Sequence, residues 1–294
     1  MRIGLIIEAK DLDSGVAKVR QAAEEGFASA WFTQMFSFDA ITMCALAGRE
    51  VEGIELGTAV VPTFPRHPTS LAMQAVTASL ATGGRFNLGI GLSHQMVIEG
   101  MLGLSYDKPA RHMREYLEVL LPLLREGKVD HEGEVFTVHA PVDAMGGTPP
   151  PVLVAALGPK MLQLTGELAD GTITWMTGPK TLAEHIIPTL TKAAGNKDVR
   201  VVAALRTVVT NDPEGARDRT GEAVAFYGML PSYRAMLDRE GAAEPKDVSI
   251  VGDEEHVATV IRGLADAGVT DFVAVPAGTT EELTRTRALL KSLI

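Results

Sequence analysis

Short apolar stretches rich in β-branched residues alternate with amphipathic stretches along the whole chain. Short apolar runs between turn residues predict buried strands, whereas apolar residues at every third or fourth position predict helices. Residues 11–25 show the helical spacing, with Val16, Val19 and Ala23 on one face. The strands predicted in this way are residues 2–7, 29–32, 54–61, 85–91, 151–157, 171–176, 199–209 and 271–276.

Strands and helices that alternate in this way indicate a parallel sheet covered by helices. Such a sheet is either a closed (β/α)8 barrel or an open, doubly wound sheet. Three features favour the barrel: the number of strands, the length of 294 residues, and the lack of a G-x-G-x-x-G motif at the first strand-to-helix turn. The sequence therefore predicts an α/β fold, a (β/α)8 TIM barrel with insertions at the C-terminal face.

The barrel is predicted to form one domain over residues 1–294, interrupted around residues 92–109, 127–150 and 212–250. The second interruption is predicted to hold a small hairpin around Glu132-Gly133. The third is predicted to hold a helix after Pro213 and a break at Pro231. Insertions after the strands are where such barrels build substrate pockets.

Composition narrows the classes of partner. Hydrophobic residues make up 46% of the chain, as in a globular protein, and 27 Lys and Arg face 37 Asp and Glu. The net charge of −10 disfavours nucleic acid as a partner. No apolar stretch reaches membrane-spanning length, and the N-terminal apolar run is too short for a signal peptide. The single cysteine, Cys44, fits a reducing compartment, so we expect a cytoplasmic protein without a membrane partner.

Residues that end the strands are the candidates for chemistry, because barrel active sites lie there. Among them only Glu8 and Lys160 carry a formal charge, and Glu8 and His94 are too few to form a metal site. Ser93 and His94 are sequence neighbours, which is poor geometry for a nucleophile and its base. An apolar pocket with a polar rim remains, and such a pocket suits a flat aromatic cofactor.

The turn after the fifth predicted strand has the character of an anion site. Gly158-Pro159 leads directly from strand to helix, so the first N–H groups of that helix are free and its dipole favours an anion. Gly158 would let a phosphate approach the backbone, and Lys160 would add charge. An ordinary turn that binds nothing explains the same residues equally well.

Several short motifs in this order and spacing resemble one family over nearly the whole chain. They are Gly26-Phe27 before Ala30-Trp31-Phe32, Leu56-Gly57-Thr58-Ala59-Val60, Pro65-Arg66-His67-Pro68, Gly83-Gly84-Arg85-Phe86-Asn87-Leu88-Gly89-Ile90-Gly91, and Ala156-Leu157-Gly158-Pro159-Lys160 followed by Ala169-Asp170-Gly171. The chain resembles the bacterial-luciferase-like oxidoreductases, and within them the coenzyme F420-dependent branch that includes methylene-tetrahydromethanopterin reductase.

The resemblance implies a (β/α)8 barrel, a homodimer and a deazaflavin site. It implies a non-prolyl cis peptide bond at Ala59-Val60, where the third strand would back the central ring of the cofactor. The residues that the resemblance assigns to cofactor binding are Gln34 at the ring edge, Ala59 and Val60 behind the ring, Gly91, Leu92 and Ser93 at the ribityl chain or ring, and Leu157, Gly158, Lys160 and Met161 at the phosphate.

The chain departs from the family at the acid–base residues. Related sugar-phosphate and alcohol dehydrogenases carry Asp-His after strand two, where this chain has Gln34-Met35. That departure argues against oxidation of alcohols or sugars. His94 stands where the sugar-phosphate enzyme carries a glutamate, and Glu8 stands where the reductase branch carries an acidic residue. Either residue could donate a proton, and a loop position or a structural hydrogen bond explains each of them as well.

The resulting expectation is a coenzyme F420-dependent oxidoreductase that transfers a hydride between the deazaflavin and a small organic substrate, most simply as a reductase of C=C or C=N bonds. Two alternatives stay open: an FMN-dependent luciferase-like monooxygenase, and a flavin- or deazaflavin-binding barrel without turnover. The loops that would contact a substrate, residues 96–109 and 212–246, do not reveal its identity.

Overall fold

The apolar runs form parallel strands that close on themselves in the computed structural model, which describes residues 1–294. The strands are β1 (Arg2–Ile6), β2 (Ser29–Phe32), β3 (Glu55–Thr58), β4 (Val61–Pro62), β5 (Phe86–Gly91), β6 (Lys128–Glu132), β7 (Thr137–Pro141), β8 (Val152–Val154), β9 (Gly171–Trp175), β10 (Arg200–Val209), β11 (Ile250–Gly252) and β12 (Asp271–Pro276).

Eight of these strands form the ring, in the order β1-β2-β3-β5-β8-β9-β10-β12, and β12 closes it by pairing with β1. All pairs in the ring are parallel, with Leu5 opposite Ala30 and Ala203 opposite Phe272. The predicted (β/α)8 barrel is therefore confirmed, and every predicted barrel strand is present.

The helices follow the strands in the expected alternation. They are α1 (Leu12–Glu24), α2 (Ala40–Glu50), α3 (Pro68–Ala81), α4 (Gln95–Gly100), α5 (Pro109–Arg125), α6 (Pro159–Leu168), α7 (Pro179–Thr181), α8 (Ile187–Ala194), α9 (Pro213–Gly221), α10 (Pro231–Glu240), α11 (Glu254–Asp266) and α12 (Thr280–Ser292). None of them combines the length and the apolar character that a membrane span requires.

Two details of the sheet differ from the sequence prediction. The third predicted strand, residues 54–61, is divided into β3 and β4, and both parts pair with β5. The strand β11 was not predicted, because three residues are too short a run to be distinguished from a turn. It pairs with the last residues of β10, which continue beyond the end of β9 (Thr207 opposite Ile250).

A polar network closes the N-terminal end of the barrel. The Arg200 guanidinium donates to Asp271 Oδ1 at 2.9 Å and to Asn87 Oδ1 at 2.6 Å. Arg2 reaches the same Asp271 oxygen at 2.6 Å and also pairs with Glu55. Asp271 is almost wholly buried, so its charge is balanced by two arginines rather than by water.

Trp31 fills the middle of the barrel. Its side chain is fully buried, and its Nε1–H donates to Ser29 Oγ at 2.8 Å. A Cβ built on Gly57 would lie 2.3 Å from the indole ring, so only glycine admits Trp31 at this level. The barrel is thus a packed core and opens only towards the C-terminal ends of the strands.

Two segments extend the barrel. Between α5 and β8, the antiparallel strands β6 and β7 form the hairpin expected around Glu132-Gly133. Glu115 of α5 accepts hydrogen bonds from the backbone N–H groups of residues 134–136 and holds its tip. Between β10 and β11, α9, a 3₁₀ segment (Glu222–Met229), α10 and a short 3₁₀ turn (Pro245–Val248) form the second segment, called here the β10–β11 insertion.

Candidate active site

The wall of the barrel mouth next to β3 is formed by Ala59 and Val60. The strand ends at Thr58, whose buried hydroxyl accepts from Gly89 N at 2.9 Å and donates to Gly89 O at 2.8 Å. The Ala59–Val60 peptide bond is cis, which confirms that expectation. Both side chains are half-buried and pack against the cluster inside the barrel that contains Trp31. Their contact with a cofactor stays a prediction.

Gly91 ends β5 directly beside this wall. A Cβ at Gly91 would lie 2.8 Å from Val60 Cγ2 and 3.2 Å from Ala155 Cβ, so Val60 occupies the space that a larger residue would need. Leu92 is half-buried against the main core. Ser93 has a φ of +59°, and its carbonyl accepts a hydrogen bond from Tyr106 Oη at 3.4 Å. The expected Gly91–Ser93 turn thus borders the wall formed by Val60.

The turn between β8 and α6 has the features of an anion site. Gly158 is the N-cap residue of α6, no side chain caps the helix, and Pro159 occupies its first turn. The N–H groups of Lys160 and Met161 therefore have no partner within the helix. A Cβ at Gly158 would meet no atom within 4 Å, so the space in front of the helix is open. Lys160 is exposed and Met161 is half-buried.

The carbonyl group of Leu157 is already engaged. The Nε2–H of buried His185 donates to Leu157 O at 2.8 Å and holds the end of the β8 segment against the helix that follows β9. The free groups of this turn are therefore donors rather than acceptors. A phosphate, which brings only acceptors and negative charge, fits this set of groups.

The amide oxygen of Gln34 is already engaged in a hydrogen bond within the protein. Its Oε1 accepts a hydrogen bond from Ala40 N at 2.8 Å, at the start of α2, next to the N-cap residue Asp39. Only the NH₂ group of Gln34 remains for a ligand. Gln34 can therefore act at the edge of a ring as a donor.

The two candidate proton donors lie in different surroundings. Glu8 is exposed after β1, beside a cavity of about 180 Å³ between the ends of β1 and β2, and its backbone carbonyl accepts from Lys18 Nζ. His94 follows β5 and is half-buried, with its ring centroid 5.8 Å from that of Tyr233. Burial lowers the pKa of His94, so its imidazole is neutral at neutral pH. In the ring, β1 and β5 are separated by β2 and β3, so the two residues approach the mouth from different sides.

The family model described as luciferase-like monooxygenase matches residues 3–287, nearly the whole chain. The chain belongs to the luciferase-like monooxygenase family.

Relatives within and near this family include enzymes that use coenzyme F420. A 5,10-methylenetetrahydromethanopterin reductase of Archaeoglobus fulgidus is 31% identical over 234 residues, which cover 77% of this chain and 69% of that protein. The structure of a coenzyme F420-dependent tetrahydromethanopterin reductase from Methanopyrus kandleri has a TM-score of 0.83 at 23% identity and covers 100% of this chain and 99% of that chain. An F420-dependent secondary alcohol dehydrogenase, solved with an F420–acetone adduct, has a TM-score of 0.83 at 18% identity, with 100% and 99% covered. The luciferase-like assignment made from the sequence is thus confirmed.

Four residues at the mouth of this luciferase-like barrel were missed by sequence reasoning. Trp175 of β9 is only half-buried there, with a ring centroid 6.1 Å from that of Tyr227 in the β10–β11 insertion. The Tyr227 ring lies 4.9 Å from Tyr233, which in turn covers His94. Aromatic rings thus continue from β9 to the end of β5. The fourth residue, Arg206, belongs to β10, and its only sequence signal was a charge inside an apolar strand.

Proposed function

We propose that the protein is a coenzyme F420-dependent oxidoreductase that reduces a C=C or C=N bond of a small organic substrate. Coenzyme F420, when bound, supplies a hydride from its deazaflavin ring. The relative from Archaeoglobus fulgidus supports a reductase. The residues after β2 support it too, because Gln34-Met35 replaces the Asp-His pair of related alcohol and sugar dehydrogenases.

One observation carries the proposal: the uncapped start of α6 and the wall formed by Ala59 and Val60 open onto the same end of the barrel. The first offers Lys160 N–H and Met161 N–H to a phosphate, with open space at Gly158. The second offers an apolar surface on which a flat ring can lie. A cofactor that joins an aromatic ring to a phosphate through a flexible chain fits both places at once.

The protein's own contribution is binding, orientation and a proton. Val60 and Gly91 fix the position of one ring face, and the Gln34 NH₂ group donates at the ring edge. Aromatic side chains of the β10–β11 insertion exclude water from the other side. Glu8, His94 or water supplies the proton; because burial lowers the pKa of His94, its imidazole would have to take up a proton before it donated one.

The proposal places the enzyme in the cytoplasm as a homodimer, with a small molecule as its only other partner. Cys44 is a buried free thiol, which is compatible with a reducing compartment. The homodimer follows from the family resemblance. Size-exclusion chromatography with light scattering distinguishes dimer from monomer.

A second candidate is an FMN-dependent monooxygenase, which the description of the family itself favours. It would use the same barrel mouth and the same phosphate turn, so the cofactor decides between the two. A barrel that binds flavin or deazaflavin without turnover is the third candidate. It would retain the cofactor but would not oxidise or reduce it in cycles.

The deciding experiment is an equilibrium titration of the purified protein with oxidised coenzyme F420 and, separately, with FMN, followed by cofactor fluorescence. We expect F420 to bind at least about tenfold more tightly than FMN, a difference of about 1.4 kcal/mol. A screen of activated alkenes and imines with reduced F420 then tests turnover. Preference for FMN, with oxygen consumption when FMN is reduced, would refute the F420 proposal and establish the monooxygenase.

A further inference from the structure

Two arginines lie on the same face of β10, one with hydrogen-bond partners and one without. Side chains alternate along a strand, and Val202 and Ala204 belong to the cluster inside the barrel, so Arg200 and Arg206 also project inwards. They are about 20 Å apart along the strand. Arg200, at the closed end, is hydrogen-bonded to Asp271 and Asn87. Arg206, at the open end, has no such partners.

The guanidinium of Arg206 is buried in part, and one of its N–H groups has no hydrogen-bond partner. Its Nε–H is inaccessible to solvent and has no hydrogen-bond partner. Burial lowers the pKa of Arg206, and the nearby Glu8 and Tyr227 oppose that effect, although neither accepts a hydrogen bond from the guanidinium. A buried N–H of a charged group without an acceptor destabilises the fold unless a ligand supplies the acceptor.

Position in the ring assigns Arg206 to the substrate side of the pocket. β10 lies four places from β3 in either direction around the eight-stranded ring, so Arg206 faces Ala59 and Val60 across the mouth. A ring that lies on Val60 would leave the space in front of Arg206 to a second molecule. The side chains of Trp175 and Tyr227 border that space and offer flat apolar surfaces.

We propose that Arg206 binds the carboxylate of the substrate, and that the substrate is a flat, unsaturated or aromatic carboxylic acid whose body lies against Trp175 and Tyr227. A guanidinium binds a carboxylate through two parallel N–H···O hydrogen bonds, which fixes orientation as well as position. The inference rests on the proposed function, because it takes the space opposite Val60 as the substrate site.

The test uses benzoate as the probe and benzamide as its neutral counterpart, at constant ionic strength and with the full-length protein. Binding is followed by the fluorescence of Trp175 and by the NMR signal of the Arg206 Nε–H, which is identified by its loss in Arg206→Lys. We expect benzoate to bind at least about tenfold more tightly than benzamide and to shift the Nε–H signal. In Arg206→Gln benzoate affinity should fall at least about tenfold, and in Arg206→Lys about threefold or more, because lysine keeps the charge without the planar fork.

Arg262→Gln is the matched control, since Arg262 is exposed on α11, and its benzoate affinity should equal that of the wild type. Equal affinity of the wild type and Arg206→Gln for benzoate, or no binding by the wild type, would overturn the inference.

Titration of the same variants with F420 separates the two proposals. Loss of F420 binding in Arg206→Gln would overturn the inference by giving Arg206 to the cofactor. Failure of every protein to bind F420, with benzoate binding still dependent on Arg206, would overturn only the proposed cofactor.

Discussion

Arg200 on β10 holds Asp271 on β12 through two hydrogen bonds, from Nη2 to Oδ1 at 2.9 Å and from Nε to Oδ2 at 3.3 Å. These residues are far apart in the sequence and lie on strands that are neighbours in the ring. Burial alone would raise the pKa of the Asp271 carboxyl, but Arg200, together with Thr270 and Arg2, outweighs that effect and holds the pKa below its usual range. The carboxylate form of Asp271 is thus tied to the closed barrel.

Replacing Asp271 with asparagine should lower the free energy of unfolding by about 3 kcal/mol at pH 7, because two guanidinium groups lose a buried counter-charge. A carboxyl whose pKa is lowered by folding stabilises the protein fully above its pKa in the unfolded chain, which is about 4. This stabilisation is lost as the pH falls through the lower pKa of the folded protein. The difference between Asp271→Asn and the wild type should therefore shrink below about pH 4. Urea unfolding across this range measures it. Asp266→Asn, an exposed change on α11, should show no such convergence.

Gly158→Asp should raise the stability of the protein while it weakens cofactor binding. The aspartate would cap α6 by accepting from the N–H groups that the proposal assigns to a phosphate, and its Cβ meets no neighbour. We expect stability to rise by a few tenths of a kcal/mol, as is typical of an N-cap change from glycine to aspartate. F420 affinity should fall at least about tenfold, since the aspartate introduced at position 158 is negatively charged and repels the phosphate of the cofactor. Gly158→Ala should keep most of the affinity, and an unchanged affinity in Gly158→Asp would contradict the assignment of the phosphate site.

Gly91 and Val60 should behave as a coupled pair. Gly91→Ala alone places a Cβ 2.8 Å from Val60 Cγ2, so we expect a loss of about 1–3 kcal/mol in stability, together with weaker F420 binding. In a Val60→Ala background the same change should cost less than 1 kcal/mol, because the obstructing methyl groups are gone. A double-mutant cycle by urea unfolding measures the coupling. Gly100→Ala, at a position with no neighbour within 4 Å, is the control.

His112 should give the protein an acid-sensitive step above pH 4. The ring is buried at the start of α5, stacked on Phe64 with centroids 3.9 Å apart, and its Nε2 lies 3.0 Å from Thr63 Oγ1. Burial lowers the pKa of His112 to about 4, and the charge of Glu115 offsets part of that effect. Since the unfolded imidazole titrates near 6.5, stability is complete above about pH 6.5 and falls as the pH approaches 4, by roughly 3 kcal/mol.

The measurement for His112 is the free energy of unfolding between pH 4 and pH 7. His112→Gln keeps a polar group near Thr63 and should flatten the slope in this range, at some cost in stability at pH 7. His256→Gln removes an exposed histidine and should leave the slope unchanged. A wild-type slope that survives in His112→Gln would assign the acid sensitivity to another group.

The barrel could be predicted from the sequence because its determinants are local. β2 and β12 match the predicted bounds, since turn residues delimit both apolar runs. The candidate site followed from the same reasoning, because parallel strands in a ring all end at one face. Glu8 and Gly158 needed only their position after a strand, whereas Gly91 at the end of β5 was assigned by the family resemblance.

What the sequence did not indicate depends on contacts between distant segments. Tyr233 lies over His94 only because the β10–β11 insertion folds back across the mouth, and no local pattern describes that path. Arg206 resembles Arg200 in the sequence, and only the ring shows that one has partners and the other has none. The strand β11 is recognisable only through its pairing with the end of β10.

Two kinds of segment form the mouth of the barrel. Strand ends supply Val60, Gly91 and Arg206, whose positions are set by the register of the sheet, whereas Tyr227 and Tyr233 belong to a segment that contributes no strand to the ring. Substitutions in that segment reshape the entrance and leave the register intact. Directed evolution of the entrance alone can therefore redirect the protein to new molecules without rebuilding the barrel beneath it.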